Sequence, residues 1–251
     1  MAKPSVRLER RGDAALLLLL SRAWSSVGSR EIDALAHECE IVRDDASIRA
    51  VILTGEGETF CGDWSRTVEA RRAQGNGLCC AAFQPLADLP QPVLAAVNGP
   101  AHGAGLELAL AADLRISSSS ATFLLAGGES VPLAGGLTRL SRAIGRGAAT
   151  WMALTGERLT AEQALAAGLV SAVLPMAELL PEAERLTAVI ASRGPIAMRF
   201  AKEALRHGPD LTLAQALRYE TDLTVILQTT ADRAEGVAAF AEKRPPHFTG
   251  R

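Results

Sequence analysis

Glu107 closes a run, Asn98-Gly99-Pro100-Ala101-His102-Gly103-Ala104-Gly105-Leu106-Glu107, whose residue types suit acid/base chemistry on a bound anion. The apolar run Val93 to Val97 precedes it and Leu108 to Asp113 follows, so the order reads strand, glycine-rich turn, helix. The first N–H groups of a helix have no intrahelical acceptor, and small residues there let a ligand approach them. An oxyanion at Ala104 would also meet the favourable end of the helix dipole. Glu107 follows about one turn later on the same face, and helical side chains lean toward the N-terminus. One short segment thus offers an oxyanion donor and a carboxylate acid/base. A purely structural turn is the plain alternative. The dinucleotide-binding pattern fits less well, because it wants three glycines in register, and none follows Gly103 and Gly105 in place.

A second loop supplies a second donor. Ala50 to Thr54 reads as a buried strand, followed by Gly55, Gly57 and the segment Glu58-Thr59-Phe60-Cys61-Gly62-Asp63-Trp64. Gly62 can expose another backbone N–H, and an oxyanion hole needs two donors aimed at one point.

These two loops resemble the crotonase, or enoyl-CoA hydratase/isomerase, superfamily. So, in order along the chain, do Asp113 to Ile116, Pro132 to Leu140, Leu154 to Ala164, Ala167 to Val170 and Glu235 to Arg244. The resemblance implies an α/β fold: a crotonase-like ββα spiral core over 1–190 and a C-terminal helical trimerisation region over 191–251, assembled as a homotrimer or hexamer. It implies an acyl-CoA substrate whose thioester oxygen is held by the N–H groups of Gly62 and Ala104, with no separate cofactor. Glu107 matches one of two catalytic glutamates. Gly62, Asp63, Trp64, Ser65 and Arg66 would border the substrate. His102 and Gly103 would line the acyl pocket, with capping or space-filling the alternative for His102. Phe240 and Lys243 look like the pair that holds the adenine and phosphate end of coenzyme A; core packing and a solvated charge are their plain alternatives.

Departures from the family pattern bear on the reaction. Phe60-Cys61-Gly62-Asp63 is two residues shorter than the usual Phe-(Ser/Cys)-Ala-Gly-x-Asp. Ser65 and Arg66 stand where a lysine is common, and Arg22 to Val27 replaces the Asn-Ala-Leu loop that lines the coenzyme A groove. Leu125 to Gly127 occupy the place of the second glutamate, which leaves Glu129 as the nearest substitute. Hydration of a 2-enoyl-CoA with Glu107 as acid/base is the leading expectation. A Δ3,Δ2-enoyl-CoA isomerase using Glu107 alone is the second, and a non-catalytic acyl-CoA-binding or RNA-binding relative is the alternative of another class.

Positioning these loops falls to an α/β alternation. Strand-like runs at 14–20, 50–54, 93–97 and 113–117 alternate with helical patterns at 30–43, 78–88 and 104–112. After Pro132 the pattern is helical at 137–144, 147–154, 161–167, 177–192, 196–207, 211–228 and 231–243, ended by Pro245-Pro246. A net charge of −2 and 4% aromatic residues offer neither a basic surface nor a stacking platform for nucleic acid. Cys39, Cys61, Cys79 and Cys80 and the scattered histidines lack metal-type spacing, so no metal is expected. Arg7 to Arg11 followed by Ala14 to Leu20 mimics a signal peptide, but the apolar run is short and no cleavage pattern follows. The expectation is a buried strand in a cytoplasmic protein without membrane contact.

Overall fold

The structure, a computed structural model, describes residues 5–11, 15–73, 81–126 and 132–251. Its strands are β1 (Val6–Arg11), β2 (Ala15–Leu20), β3 (Ser26–Val27), β4 (Ala50–Gly55), β5 (Asp63–Trp64), β6 (Val93–Val97), β7 (Ala101–His102), β8 (Leu114–Ser118), β9 (Thr122–Leu124), β10 (Leu159–Thr160) and β11 (Val173–Leu174). Its helices are α1 (Ser29–Asp44), α2 (Arg66–Ala73), α3 (Gln84–Ala87), α4 (Ala104–Ala111), α5 (Gly136–Thr155), α6 (Ala161–Ala166), α7 (Met176–Ala191), α8 (Pro195–His207), α9 (Leu213–Gln228) and α10 (Ala231–Glu242).

A six-stranded sheet in the order β1-β2-β4-β6-β8-β11 forms the frame. It is parallel except for the β1–β2 hairpin, so the basic segment before the leucine run is an edge strand. Every residue of β4 and β6 is buried, as expected for parallel strands covered on both faces. Side chains alternate between those faces. Val51, Leu53, Val93, Ala95 and Val97 enter the main core, whereas Ile52, Leu94, Ala96 and Ile116 pack with Leu179 and Ala183 of α7.

Two smaller sheets carry the loops. β10-β9-β7 is anchored by a bridge from Cys61 to Ala101, and β3 pairs with β5. Buried Asn98 ties the two loop systems together: its Oδ1 accepts from Gly55 N–H at 3.0 Å and its Nδ2 donates to the Gly57 carbonyl at 2.7 Å. The helical runs expected at 137–144 and 147–154 are the two helical segments of α5, separated at Gly145, whose φ of 78° and ψ of 158° are not helical. The α8 helix is fastened to the sheet frame by Lys202, which bridges to Asp113 at 2.7 Å. The sequence pattern did not announce α2 or the two-residue strands.

Candidate active site

Glu107 is fully buried, and its carboxylate collects four N–H donors, about as many as an ionised carboxylate accepts. Oε2 accepts from the Trp64 indole Nε1 at 2.8 Å and from Leu133 N–H at 3.0 Å. Oε1 accepts from Ala134 N–H at 2.7 Å and Gly136 N–H at 2.8 Å. Leu133, Ala134 and Gly136 belong to the turn that opens α5, so the carboxylate caps a helix N-terminus and is favoured by its dipole. That turn can close because residue 136 has no side chain; a Cβ there would lie 2.8 Å from both Cγ and Oε1 of Glu107. Arg139, one turn further along α5, adds the nearby positive charge. Burial and then Arg206 pull the Arg139 pKa below its usual range, and Glu107 opposes them.

This anchoring role of the α5 start escaped the sequence reading. The signal was present: Gly135-Gly136 opens a helix just as Gly103 to Gly105 does. The free N–H groups of that helix start bind an anion as those at Ala104 could, and in the folded chain the anion is Glu107 itself.

The α4 start is built by close backbone approach. Gly103 sits at φ 51°, and a Cβ on it would fall 1.7 Å from Asp63 Oδ1. Gly105 N–H donates to the Gly62 carbonyl at 2.9 Å, and a Cβ on Gly105 would meet the Cys61 carbonyl at 2.0 Å. The two expected oxyanion loops are therefore in contact, with the Asp63 carboxylate laid against the start of α4.

Among the described residues the Ala104 N–H has no protein acceptor, whereas Gly62 N–H donates to the Trp24 carbonyl at 2.8 Å. The free donor expected at Gly62 is thus engaged in this structure. The short loop draws Gly62 alongside the Trp24–Val27 segment, which pairs with β5.

Other expected site residues are dispersed. Trp64 is buried, stacks on Phe83 at 5.3 Å between ring centroids, and turns its N–H to Glu107. Ser65 stands before α2, its Oγ accepting from Val68 N–H at 3.4 Å, and Arg66 opens that helix exposed to solvent. His102 is half-buried, with Nε2 2.9 Å from Thr122 Oγ1; burial, then Arg158, lowers its pKa, and Asp63 opposes them. Phe240 is 86% exposed in the single chain, and Lys243 caps α10 with an exposed side chain. Glu129, Cys79 and Cys80 lie outside the described residues.

Cys61 is buried and its thiol pKa is raised by desolvation and by Asp63, so it packs as a small apolar residue. Among the described residues no group of three His, Cys, Asp or Glu side chains is placed to hold a metal ion, and no helix is long and apolar enough to cross a membrane. A cleft of about 510 Å³ lies between Ser21, Trp24 and Ser25 on one side and Glu56 to Phe60 on the other.

Comparison with known proteins gives the family. Residues 26–251 match the family described as Enoyl-CoA hydratase/isomerase. The 2,3-dehydroadipyl-CoA hydratase of Escherichia coli is 37% identical over 255 residues, covering 96% of this chain and 97% of that protein. The (E)-benzylidenesuccinyl-CoA hydratase of Thauera aromatica is 40% identical over 222 residues, covering 83% and 84%. The crystal structure of an enoyl-CoA hydratase from Bacillus anthracis superimposes with a TM-score of 0.89 at 33% identity, covering 98% of this chain and 100% of that one. A glycine-rich turn that starts a helix, a glutamate one turn along it and a chain-long match place this protein in the enoyl-CoA hydratase/isomerase family, with the crotonase fold.

Proposed function

We propose that this chain adds water to a 2-enoyl-CoA, with Glu107 as the acid/base and Ala104 N–H as an oxyanion donor. The observation that carries the reading is their placement. A buried carboxylate held by four N–H donors lies one helical turn from the Ala104 N–H at the start of the same helix, which has no protein acceptor among the described residues. Hydration needs a base that takes a proton from water and donors that meet the negative charge developing on the thioester oxygen. To take the proton, a Glu107 oxygen exchanges one of its N–H donors for the water. Gly62 N–H serves as the second donor once the thioester oxygen displaces the Trp24 carbonyl. The cleft beside Trp24 and Phe60 adjoins this loop and suits the pantetheine arm.

The hydratase names of the relatives support this reaction, and their printed substrates are all thioesters of coenzyme A. Exposed Leu205, Leu213, Leu217, Val225, Ile226 and Phe240 on α8–α10 support assembly into a trimer or hexamer through this region. Isomerisation of a 3-enoyl-CoA by Glu107 alone is the second reading, favoured by the sequence Leu125 to Gly127 at the place of the family's second glutamate.

The test follows the ultraviolet absorbance of crotonyl-CoA with wild type, Glu107→Gln and Glu129→Gln. Turnover reduced by Glu107→Gln to a small residual rate supports hydration, and dependence on Glu129 as well would make that residue the second acid. No turnover of crotonyl-CoA together with conversion of 3-hexenoyl-CoA would replace hydration by isomerisation. Coenzyme A binding insensitive to Glu107→Gln, without either turnover, would refute both.

A further inference from the structure

We infer that Trp64 is a positioning residue that holds the Glu107 carboxylate for proton transfer, an inference that rests on the acid/base reading of Glu107. Three of the four donors on that carboxylate are backbone N–H groups of one turn, Leu133, Ala134 and Gly136; among the described residues the indole of Trp64 is the only side-chain donor. The backbone donors come from the α5 side, whereas Trp64 comes from β5 on the opposite loop. The α5 turn reaches both oxygens but gives Oε2 a single donor, Leu133 N–H at 3.0 Å; the Trp64 indole at 2.8 Å is the second donor on Oε2, so that each oxygen has two partners.

The indole is itself fixed. It stacks on Phe83 with 17° between ring planes, and the Trp64 backbone N–H donates to Asp63 Oδ1 at 2.7 Å. Asp63 in turn lies against Gly103 at the start of α4. Adjacent residues of one loop therefore contact both ends of the turn that separates the oxyanion donor from Glu107. Only an aromatic side chain with a ring N–H both stacks on Phe83 and reaches Oε2; phenylalanine keeps the ring and removes the donor.

The test is a double-mutant cycle on crotonyl-CoA turnover with wild type, Trp64→Phe, Glu107→Gln and the double variant. The expected result is a kcat about tenfold lower for Trp64→Phe, the order expected for a lost hydrogen bond to a charged group, with KM changed less than about twofold. In the Glu107→Gln background the same change has no further effect. Phe83→Leu keeps the N–H but loosens the stack, and is expected to lower kcat less, again only when Glu107 is present. If melting and circular dichroism show that Trp64→Phe does not fold, the Phe83→Leu cycle decides by the same criterion. Equal losses in both backgrounds, or a loss confined to KM, would overturn the positioning role while leaving Glu107 as acid/base. Full turnover by Glu107→Gln would overturn the acid/base reading and this inference with it.

Discussion

Replacing Gly136 by alanine tests whether the first turn of α5 holds Glu107 in its working position. The new Cβ would lie 2.8 Å from Glu107 Cγ and Oε1 and 2.9 Å from Leu125 Cδ1, whereas ordinary contact begins near 3.4 Å. Something must therefore move by roughly 0.6 Å. Leu125 can rotate, but Glu107 is held by four hydrogen bonds, so relief requires lengthening at least one bond to Oε1. A hydrogen bond to a charged group is worth about 1.5–3 kcal/mol, and overpacking costs about 1–3 kcal/mol. Because relief of one reduces the other, a total of about 2–4 kcal/mol is expected. Misplacing a catalytic group on the scale of 1 Å costs up to about a hundredfold in rate, so kcat should fall by about ten- to a hundredfold. Gly135→Ala is the control. Residue 135 sits at φ 86° with nothing within 4 Å of a new Cβ, so alanine there costs about 1–2 kcal/mol of backbone strain without touching the carboxylate. Urea unfolding and crotonyl-CoA kinetics on the two variants separate the effects: both lose stability, and only Gly136→Ala loses kcat. Unchanged kcat in Gly136→Ala, or equal kcat losses in both, would refute the reasoning.

Further outcomes follow from the same contacts. His102 has a folded pKa below its unfolded value of about 6.5, so its contribution to stability is intact above that pH and is lost as pH falls. Urea unfolding at pH 7.5 and 5.5 should show a loss on acidification that His102→Gln reduces. Asn98→Ala removes the hydrogen bonds joining Gly55 and Gly57 to the end of β6, and should cost about 2–4 kcal/mol in urea unfolding while loosening both loops. Leu179→Ala opens the cluster between the sheet and α7, away from the site, and should cost about 2–5 kcal/mol with kcat unchanged. Cys39, whose thiol burial pushes up to about 12, and Cys61 should resist alkylation at pH 8 in the native protein and react after unfolding, read peptide by peptide in a mass spectrometer.

The sequence by itself determined the elements whose hydrophobic pattern is local. The apolar runs of β2, β4 and β6 and the amphipathic helices α1, α7 and α8 are written in side-chain periodicity, and Ala104 to Glu107 announced a helix start with a carboxylate one turn on. The two helical runs on either side of Gly145 are also legible, and its non-helical φ of 78° and ψ of 158° separate them within α5. The tertiary structure alone decided what Glu107 touches. Its partners come from residues 64 and 133–136, and no local pattern states that two distant segments converge on one oxygen pair. It also decided that Gly62 donates to Trp24 in place of an open hole, because a strand-like segment saturates its N–H groups with whatever carbonyls pairing brings alongside. Type and spacing encode which groups can act; the meeting of distant loops fixes where each hydrogen bond goes.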